Sequence, residues 1–255
     1  MSFRDEWRVW IVLTVAAVGV IGSIFVPRIP QDPAYHQFVD DRTLLGIPNF
    51  WNVVTNIPFV LVGIYGLARL SRVVALRSGY LIVCVGIILV AVGSSYYHYA
   101  PSTKSLVWDR LPMTIVFMAL FSTIIEDRVS GRTGKNLLWP LIVVGAASVG
   151  YWHLSELQGS GDLRPYGLVQ FLPLLLIPLI LVLFPSRGLR TSFLWWTLVI
   201  YGLSKIAEYF DLWIFEMTGM ISGHSIKHLL ASLAILFFVL AYHESTDVKS
   251  AGTPD

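Results

Sequence analysis

The stretch SGYLIVCVGIILVAVGSSYYHY, residues 78–99, decides the fold class of this chain. It carries no charged side chain, and its length matches the roughly 20 residues that an α-helix needs to cross the hydrocarbon core of a bilayer. Near its end stand Ser94 and His98, which are four residues apart and therefore share one face of a helix. The stretch is predicted to be a transmembrane helix with polar side chains at one end.

The composition of the whole chain supports a membrane protein. Hydrophobic residues make up 55% of the 255 residues and charged residues 13%, and the mean hydropathy is +0.68. A soluble domain of this size would have too little polar material to cover its surface. The net charge of +2 is too small, and basic runs interleaved with aromatic residues are too few, for a nucleic-acid partner. The single cysteine, Cys84, excludes a disulfide framework.

Seven further apolar stretches have a similar length, so we predict an all-α fold, a polytopic transmembrane helix bundle. The predicted spans are about 7–26, 49–69, 78–99, 110–127, 137–153, 165–184, 192–216 and 223–243. The connectors between them are short and rich in glycine and proline, and none could hold a second folded domain.

The distribution of lysine and arginine predicts the orientation. An even number of spans places both termini on one side, which collects eleven of these residues. The other side has five: Arg28, Arg42, Lys104, Arg110 and Arg164. The positive-inside rule then predicts cytoplasmic termini in a multi-pass protein of a cell membrane, or of the inner membrane in a bacterium. Residues 244–255 are expected to be a disordered cytoplasmic tail.

Three histidines fall at the same, non-cytoplasmic ends of their predicted helices. His224 and His228 open the last span in GHSIKH, with the i, i+4 spacing that lets two imidazoles reach one metal ion. The glutamate of a His-Glu-x-x-His protease motif is missing. With His98 they form a candidate zinc site whose fourth position is left for water. His36 and His153 lie on the same side, and either could replace one of the three.

Two further residues are candidates for catalysis at such a site. Asp109 stands shortly before the predicted fourth span, where its carboxylate could orient a water molecule and take its proton. Ser94 could donate a hydrogen bond to a substrate carbonyl oxygen that gathers negative charge. A serine that only packs between helices is the alternative interpretation of Ser94.

The combined pattern resembles the alkaline ceramidase family. It consists of Ser94-x-x-x-His98, Asp109 eleven residues on, and His224-x-x-x-His228. It is also similar to the wider group of seven-helix membrane zinc hydrolases that includes the adiponectin-receptor-like proteins. The segment NFWNVVTN, residues 49–56, resembles the segment that opens the first helix of the family.

The resemblance implies a division of the chain and an activity. Residues 49–243 would form the seven-helix hydrolase core, and residues 1–48 an extra N-terminal transmembrane helix with an outward loop. Zinc would lie on His98, His224 and His228, with Ser94 and Asp109 in catalysis. The implied reaction is hydrolysis of a ceramide-like membrane lipid at its amide bond, which releases a sphingoid base and a fatty acid.

The chain departs from the eukaryotic members of this family at a calcium site. Those proteins hold calcium with several acidic residues, including a glutamate where this chain has Asn49. Here the nearby carboxylates are Asp40 and Asp41, followed by Arg42. Because calcium takes six to eight oxygen ligands, several of them carboxylates, calcium is not predicted.

A second polar group lies in the seventh predicted span. Lys205, Glu208 and Asp211 follow one another at i, i+3 steps, and each unpaired charge near the bilayer centre would cost at least about 2.5 to 3.5 kcal/mol. We favour a structural network over a catalytic role, with Asp211 closest to the site. Two other functions stay open: a transporter that uses these three charges, or a receptor-like protein with a structural zinc ion.

Overall fold

The computed structural model of the protein describes residues 6–73 and 75–242, and its regular structure there is helical, without a β-sheet. The helices in chain order are α1 Glu6–Phe25, α2 Phe50–Val54, α3 Ile57–Ala68, α4 Arg77–Tyr99, α5 Thr103–Arg128, α6 Gly131–Leu157, α7 Arg164–Leu183, α8 Thr191–Tyr209, α9 Asp211–Thr218 and α10 Gly223–Leu240. The predicted tail, 244–255, lies outside the described residues.

The predicted all-α polytopic bundle is confirmed. Within the described ranges, seven segments are long and apolar enough to cross a membrane: α1, the pair α2 and α3 taken together, α4, α5, α6, α7 and α10. Helix α8 occupies most of the seventh predicted stretch but is not among them. Its aromatic and polar residues, including Lys205 and Glu208, lower its hydropathy.

The prediction of one continuous helix over 192–216 is wrong. Helix α8 ends at Tyr209, and Phe210 leaves helical geometry with φ −93° and ψ 28° before α9 begins at Asp211. The carboxylate of Asp211 accepts a hydrogen bond of 2.7 Å from the backbone N–H of His224 at the start of α10. This bond across two helices ties the break to the first turn of α10, which carries His224.

The fourth predicted span also needs a correction, because α5 begins at Thr103 rather than near residue 110. Ser102 caps the helix, and its hydroxyl oxygen accepts the backbone N–H of Ser105. Asp109 therefore does not precede this helix. It lies inside α5, almost two turns from the start, where its side-chain direction is set by the helix.

Helix α1 stands apart from the rest of the bundle. It packs against α7 and buries none of its residues. The most extensive of the other contacts run from α3 to α4, from α4 to α5, from α5 to α6 and from α8 to α10. The main core lies between these helices and includes Tyr80, Val83 and Cys84, all fully buried.

Two glycines let helix backbones touch next to the polar ends of α4 and α10. A Cβ atom on Gly93 would lie 1.9 Å from the carbonyl oxygen of Trp108, and one on Gly223 would lie 2.1 Å from that of Ala207. Only a residue without a side chain fits at such distances. The residues that follow them, Ser94 and His224, are thus held close to the neighbouring helices.

Substitution of Gly93 by alanine is expected to separate α4 from α5 at the level of Ser94. Overpacking of this kind costs about 1–3 kcal/mol, so the melting temperature in detergent should fall. Gly150→Ala in α6 is the matched control, because a Cβ atom there meets nothing within 4 Å. Equal melting temperatures for the two variants would contradict this account of the packing.

The connector between α1 and α2 crosses the end of the bundle where α4 ends and where α5 and α10 begin. Its Ile29 carbonyl oxygen accepts the N–H of Leu163 at 2.8 Å, and the Asn49 side chain donates to the His98 carbonyl oxygen at 2.8 Å. Nearby, hydrogen bonds from the Arg164 guanidinium lower the pKa of Asp162 to about 2. The connector is therefore attached to the bundle on both sides of the polar end.

Candidate metal centre

Three histidines from two helices meet at this end of the bundle. His98 comes from the last turn of α4, and His224 and His228 from the first turns of α10. They are 1%, 7% and 4% exposed, and their candidate ligand atoms lie within 4.8 Å of one another. Among the described residues these three form the group that could hold a metal ion.

The geometry of this histidine cluster fits zinc. The Nε2 atoms of His98 and His224 are 3.3 Å apart. Zinc binds histidine nitrogens at about 2.0–2.1 Å, so two nitrogens on a tetrahedral ion lie roughly 3.3 Å from each other. Imidazoles are also ordinary zinc ligands, and three of them are a common set for a catalytic site.

The third imidazole is oriented by a threonine of the loop between α2 and α3. The Thr55 hydroxyl donates to the carbonyl oxygen of Trp51 at 2.6 Å, so its oxygen is free to accept from His228 Nδ1, 3.0 Å away. The proton of the neutral ring is then on Nδ1, and Nε2 keeps the lone pair that a metal needs.

The two other candidates from the sequence also lie at this site. Ser94 is buried, Asp109 is half-buried, and the Ser94 hydroxyl interacts with the Asp109 carboxylate. Both residues and His228 line a cavity of about 330 Å³ inside the bundle. The opposite part of the cavity is apolar, with side chains such as Leu120 of α5 and Leu174 of α7.

The match to known families agrees with this arrangement. Residues 45–253 match the family model described as Ceramidase. The chain belongs to the ceramidase family. The resemblance inferred from the five motif residues is thereby confirmed, and helix α1 lies before the matched region. No curated protein sequence matches the chain.

The charged residues of α8 reach the histidine cluster through Lys227. Glu208 accepts hydrogen bonds from Lys205 at 2.9 Å and from Lys227 at 2.8 Å. The ammonium of Lys227 also lies 3.1 Å from His224 Nε2. The predicted network is therefore present, with Lys227 in place of Asp211 as the third member, and it lines the same cavity as His228.

Asp211 contacts the site in a different way from the one its spacing suggested. Because the helix breaks before Asp211, the carboxylate of this residue accepts a hydrogen bond from the His224 backbone N–H and does not join the Lys205–Glu208 pair. It thus positions the first turn of α10, which agrees with the expectation that Asp211 is the member closest to the histidines.

The aromatic side chain of Phe38 in the α1–α2 connector covers the cluster. Its ring centroid lies 4.7 Å from that of His98 and 5.4 Å from that of His224. The connector is held there by Arg42, which donates to the Met220 carbonyl oxygen at 2.6 Å and pairs with Asp40 at 2.7 Å. The Asp40 carboxylate is therefore engaged with a cation of the chain itself.

The alternative histidines take other positions. The ring nitrogens of His36 contact the hydroxyl groups of Tyr97 and Thr103, at 3.0 and 3.1 Å, and the ring of His153 lies beside Trp152. Neither belongs to the histidine cluster. Two cationic residues of the cavity wall, Lys227 and Arg110, had not been singled out from the sequence. The i, i+3 spacing of Lys227 from His224 was the available signal for the first.

Removal of the Thr55 hydroxyl is expected to weaken metal binding. Loss of an outer partner of a ligating histidine typically costs 10- to 100-fold in metal affinity, and we expect this range for Thr55→Val. Thr55→Ser keeps the hydroxyl and should retain most of the affinity. Competition with a fluorescent zinc chelator measures both variants, and equal affinity of Thr55→Val and the unmodified protein would show that His228 does not depend on this hydrogen bond.

Proposed function

We propose that this member of the ceramidase family is an integral-membrane, zinc-dependent lipid amidase. Its substrates would be ceramide-like N-acyl lipids, which it would hydrolyse to a sphingoid base and a fatty acid. The observation that carries the proposal is the cluster of three buried imidazoles, with candidate ligand atoms within 4.8 Å of one another, at the polar end of an apolar cavity.

His98, His224 and His228 would hold the zinc ion. When bound, zinc supplies a Lewis acid that lowers the pKa of a bound water to about 7 and polarises a carbonyl group. Three protein ligands leave one coordination position open, as in catalytic zinc sites, whereas structural sites have four. This donor set favours an enzyme over a receptor-like protein with structural zinc.

Asp109 would move the proton during hydrolysis. Its carboxylate lines the cavity together with His228, so it can take a proton from the attacking water. The protonated carboxyl group can then give that proton to the leaving nitrogen of the amide. A positioned acid–base group of this kind contributes typically 10²- to 10⁴-fold to the rate.

The Ser94 hydroxyl would assist the same reaction as a hydrogen-bond donor. A hydroxyl group has one proton to donate, so Ser94 can hold the Asp109 carboxylate or donate to the substrate carbonyl oxygen, but not both at once. We propose that it changes partner when negative charge develops on that oxygen. Its burial at the α4–α5 contact keeps the hydroxyl within reach of both.

The lipid would reach the cavity sideways from the membrane. Helices α7 and α8 make few contacts with each other, and both contribute cavity residues, such as Phe171 and Leu198. Acyl chains that enter between α7 and α8 would lie against the apolar part of the cavity, with the amide next to Asp109. If α8 is the eighth crossing, the positive-inside rule would place both termini in the cytoplasm and the head group on the non-cytoplasmic side.

Product analysis with purified protein tests the function. The protein is incubated with ceramides, other N-acyl lipids and ester-linked phospholipids, with and without a zinc chelator, and the products are identified by mass spectrometry. We expect a free long-chain base and a fatty acid from ceramides, with loss of product after chelation and recovery with zinc. Movement of intact lipid across vesicles without any product would instead favour a transporter.

A further inference from the structure

Arg110 is a buried cation in the wall of the catalytic cavity. It follows Asp109 in α5 and is only 5% exposed. It lines the same cavity as Ser94, Asp109 and His228. The guanidinium is thus placed beside the groups to which we assign the chemistry, and that chemistry gives it no role.

The guanidinium has few polar partners for a buried charge. Its Nη2 donates to the Gln31 side-chain oxygen at 2.8 Å, and its Nη1 is buried without a hydrogen-bond partner. None of the ion pairs found in residues 6–73 and 75–242 involves Arg110. By contrast, Arg42 and Arg164 at the same end of the bundle each pair with an aspartate.

Aromatic rings hold the guanidinium in place. Its carbon lies 4.2 Å from the ring centroid of Trp152, 4.7 Å from that of Tyr166 and 5.6 Å from that of Tyr35. Cation–π contacts stabilise a guanidinium without consuming its N–H donors. Arg110 is therefore fixed in orientation while most of its capacity for hydrogen bonds to an anion is unused.

The charges around the cavity favour an anion as well. Its wall carries three cationic side chains, Arg110, Lys205 and Lys227, against two carboxylates, Asp109 and Glu208. Glu208 is shared by the two lysines, so Arg110 is the cation without a carboxylate of its own. A bound divalent metal ion would add to this excess of positive charge.

The charge of Arg110 also acts on His36, which lies in the connector between α1 and α2, outside the membrane-spanning helices. Burial lowers the pKa of His36, and the nearby charge of Arg110 lowers it further. A lowered pKa disfavours a positive charge on the His36 ring next to the guanidinium.

We propose that the N-acyl substrate of this protein carries an anionic group, a phosphate or a carboxylate, close to its amide bond, and that Arg110 binds this group. This inference rests on the proposed amidase function and narrows its substrate class. A planar guanidinium matches both anions through paired N–H donors. The anion would supply the partner that this buried cation otherwise lacks.

Matched substrate pairs test the proposal, because the scissile amide is the same within each pair. One pair is ceramide and ceramide 1-phosphate, and the other is N-palmitoylserine and its methyl ester. We expect kcat/KM to be about 10- to 100-fold higher for the anionic member of at least one pair, as for a charge-assisted hydrogen bond. The pair that shows the preference distinguishes phosphate from carboxylate.

Substitutions at position 110 then assign the preference to this side chain. Arg110→Gln should remove the preference, mainly through KM of the anionic substrate, and Arg110→Lys should retain part of it. Lys104→Gln is the matched control, because Lys104 is an exposed cation on the same helix and should leave the preference unchanged. A preference that survives in Arg110→Gln, or equal rates within both pairs in the unmodified protein, overturns the proposal.

A binding experiment separates failure of this proposal from failure of the amidase function. If no lipid is hydrolysed, the amidase function is wrong, and thermal stabilisation by hexadecyl phosphate relative to hexadecanol still tests Arg110. Stabilisation that Arg110→Gln abolishes supports an anion site, and equal stabilisation of both proteins contradicts it.

Arg110 also borders a groove between α1 and α7. Stabilisation by vesicle phosphatidylglycerol that depends on Arg110, without any substrate preference, would assign the site to a membrane lipid and overturn the proposal.

Discussion

Replacement of His224 by alanine is expected to abolish binding of the proposed zinc ion and, with it, the proposed hydrolysis of the lipid amide. The His224 Nε2 faces the His98 Nε2 at 3.3 Å, and together with His228 these residues are the candidate ligand set within 6–73 and 75–242. Loss of an outer-shell partner already costs 10- to 100-fold in metal affinity, so the loss of one of three ligands should cost at least about 100-fold.

Metal analysis by mass spectrometry and product release together measure this result. His153→Ala is the matched control, since His153 lies at the same end of the bundle but outside the histidine cluster. The melting temperature of the His224→Ala protein in a chelator should resemble that of the unmodified protein in a chelator. A His224→Ala protein that keeps one zinc ion and full activity would disprove the proposed centre.

Asp109→Asn is expected to leave the metal in place and to lower kcat by about 10²- to 10⁴-fold, the usual contribution of a positioned acid–base group. Asparagine has nearly the same shape and can still interact with the Ser94 hydroxyl. It cannot take a proton from water or return one to the leaving amine. The effect should therefore appear in kcat and not in zinc content.

Parallel measurements of kcat and zinc content separate this role from a structural one. Ser94→Ala serves as the comparison, because it removes the interacting hydroxyl and keeps the carboxylate, and its loss of activity should be smaller. If the Asp109→Asn protein loses zinc to the same extent as activity, then Asp109 stabilises the metal centre instead of moving a proton.

The bundle and the metal centre differ in how far local sequence predicted them. An uninterrupted apolar run such as residues 78–99 is sufficient for a spanning helix, since transfer of apolar side chains into lipid depends on the segment itself. The i, i+4 pair His224 and His228 likewise shares a face in any helix. These features were predicted, and the helices carrying them are found at the expected places.

The ends of the helices were harder to predict from the sequence, because they depend on single hydrogen bonds. Because Ser102 caps α5, the helix begins earlier than the apolar pattern predicted, and Asp109 lies inside it. The break at Phe210 accompanies the bond from the His224 N–H to Asp211, a residue 13 positions away. A hydropathy pattern averages over such contacts and does not report them.

The sequence by itself determined that this chain is a helical membrane protein and that it belongs to the ceramidase family, because apolar run length and motif spacing are properties of short segments. The tertiary structure decided which of those segments meet. Glycines 93 and 223 bring backbones into contact, Thr55 orients His228, and Lys227 joins the charges of α8 to the histidine cluster. Arg110 acquires its aromatic surroundings from α6, α7 and the connector before α2. Apart from the contact of Lys227 with His224 inside α10, these contacts join residues far apart in the chain, so they exist only once the helices have packed.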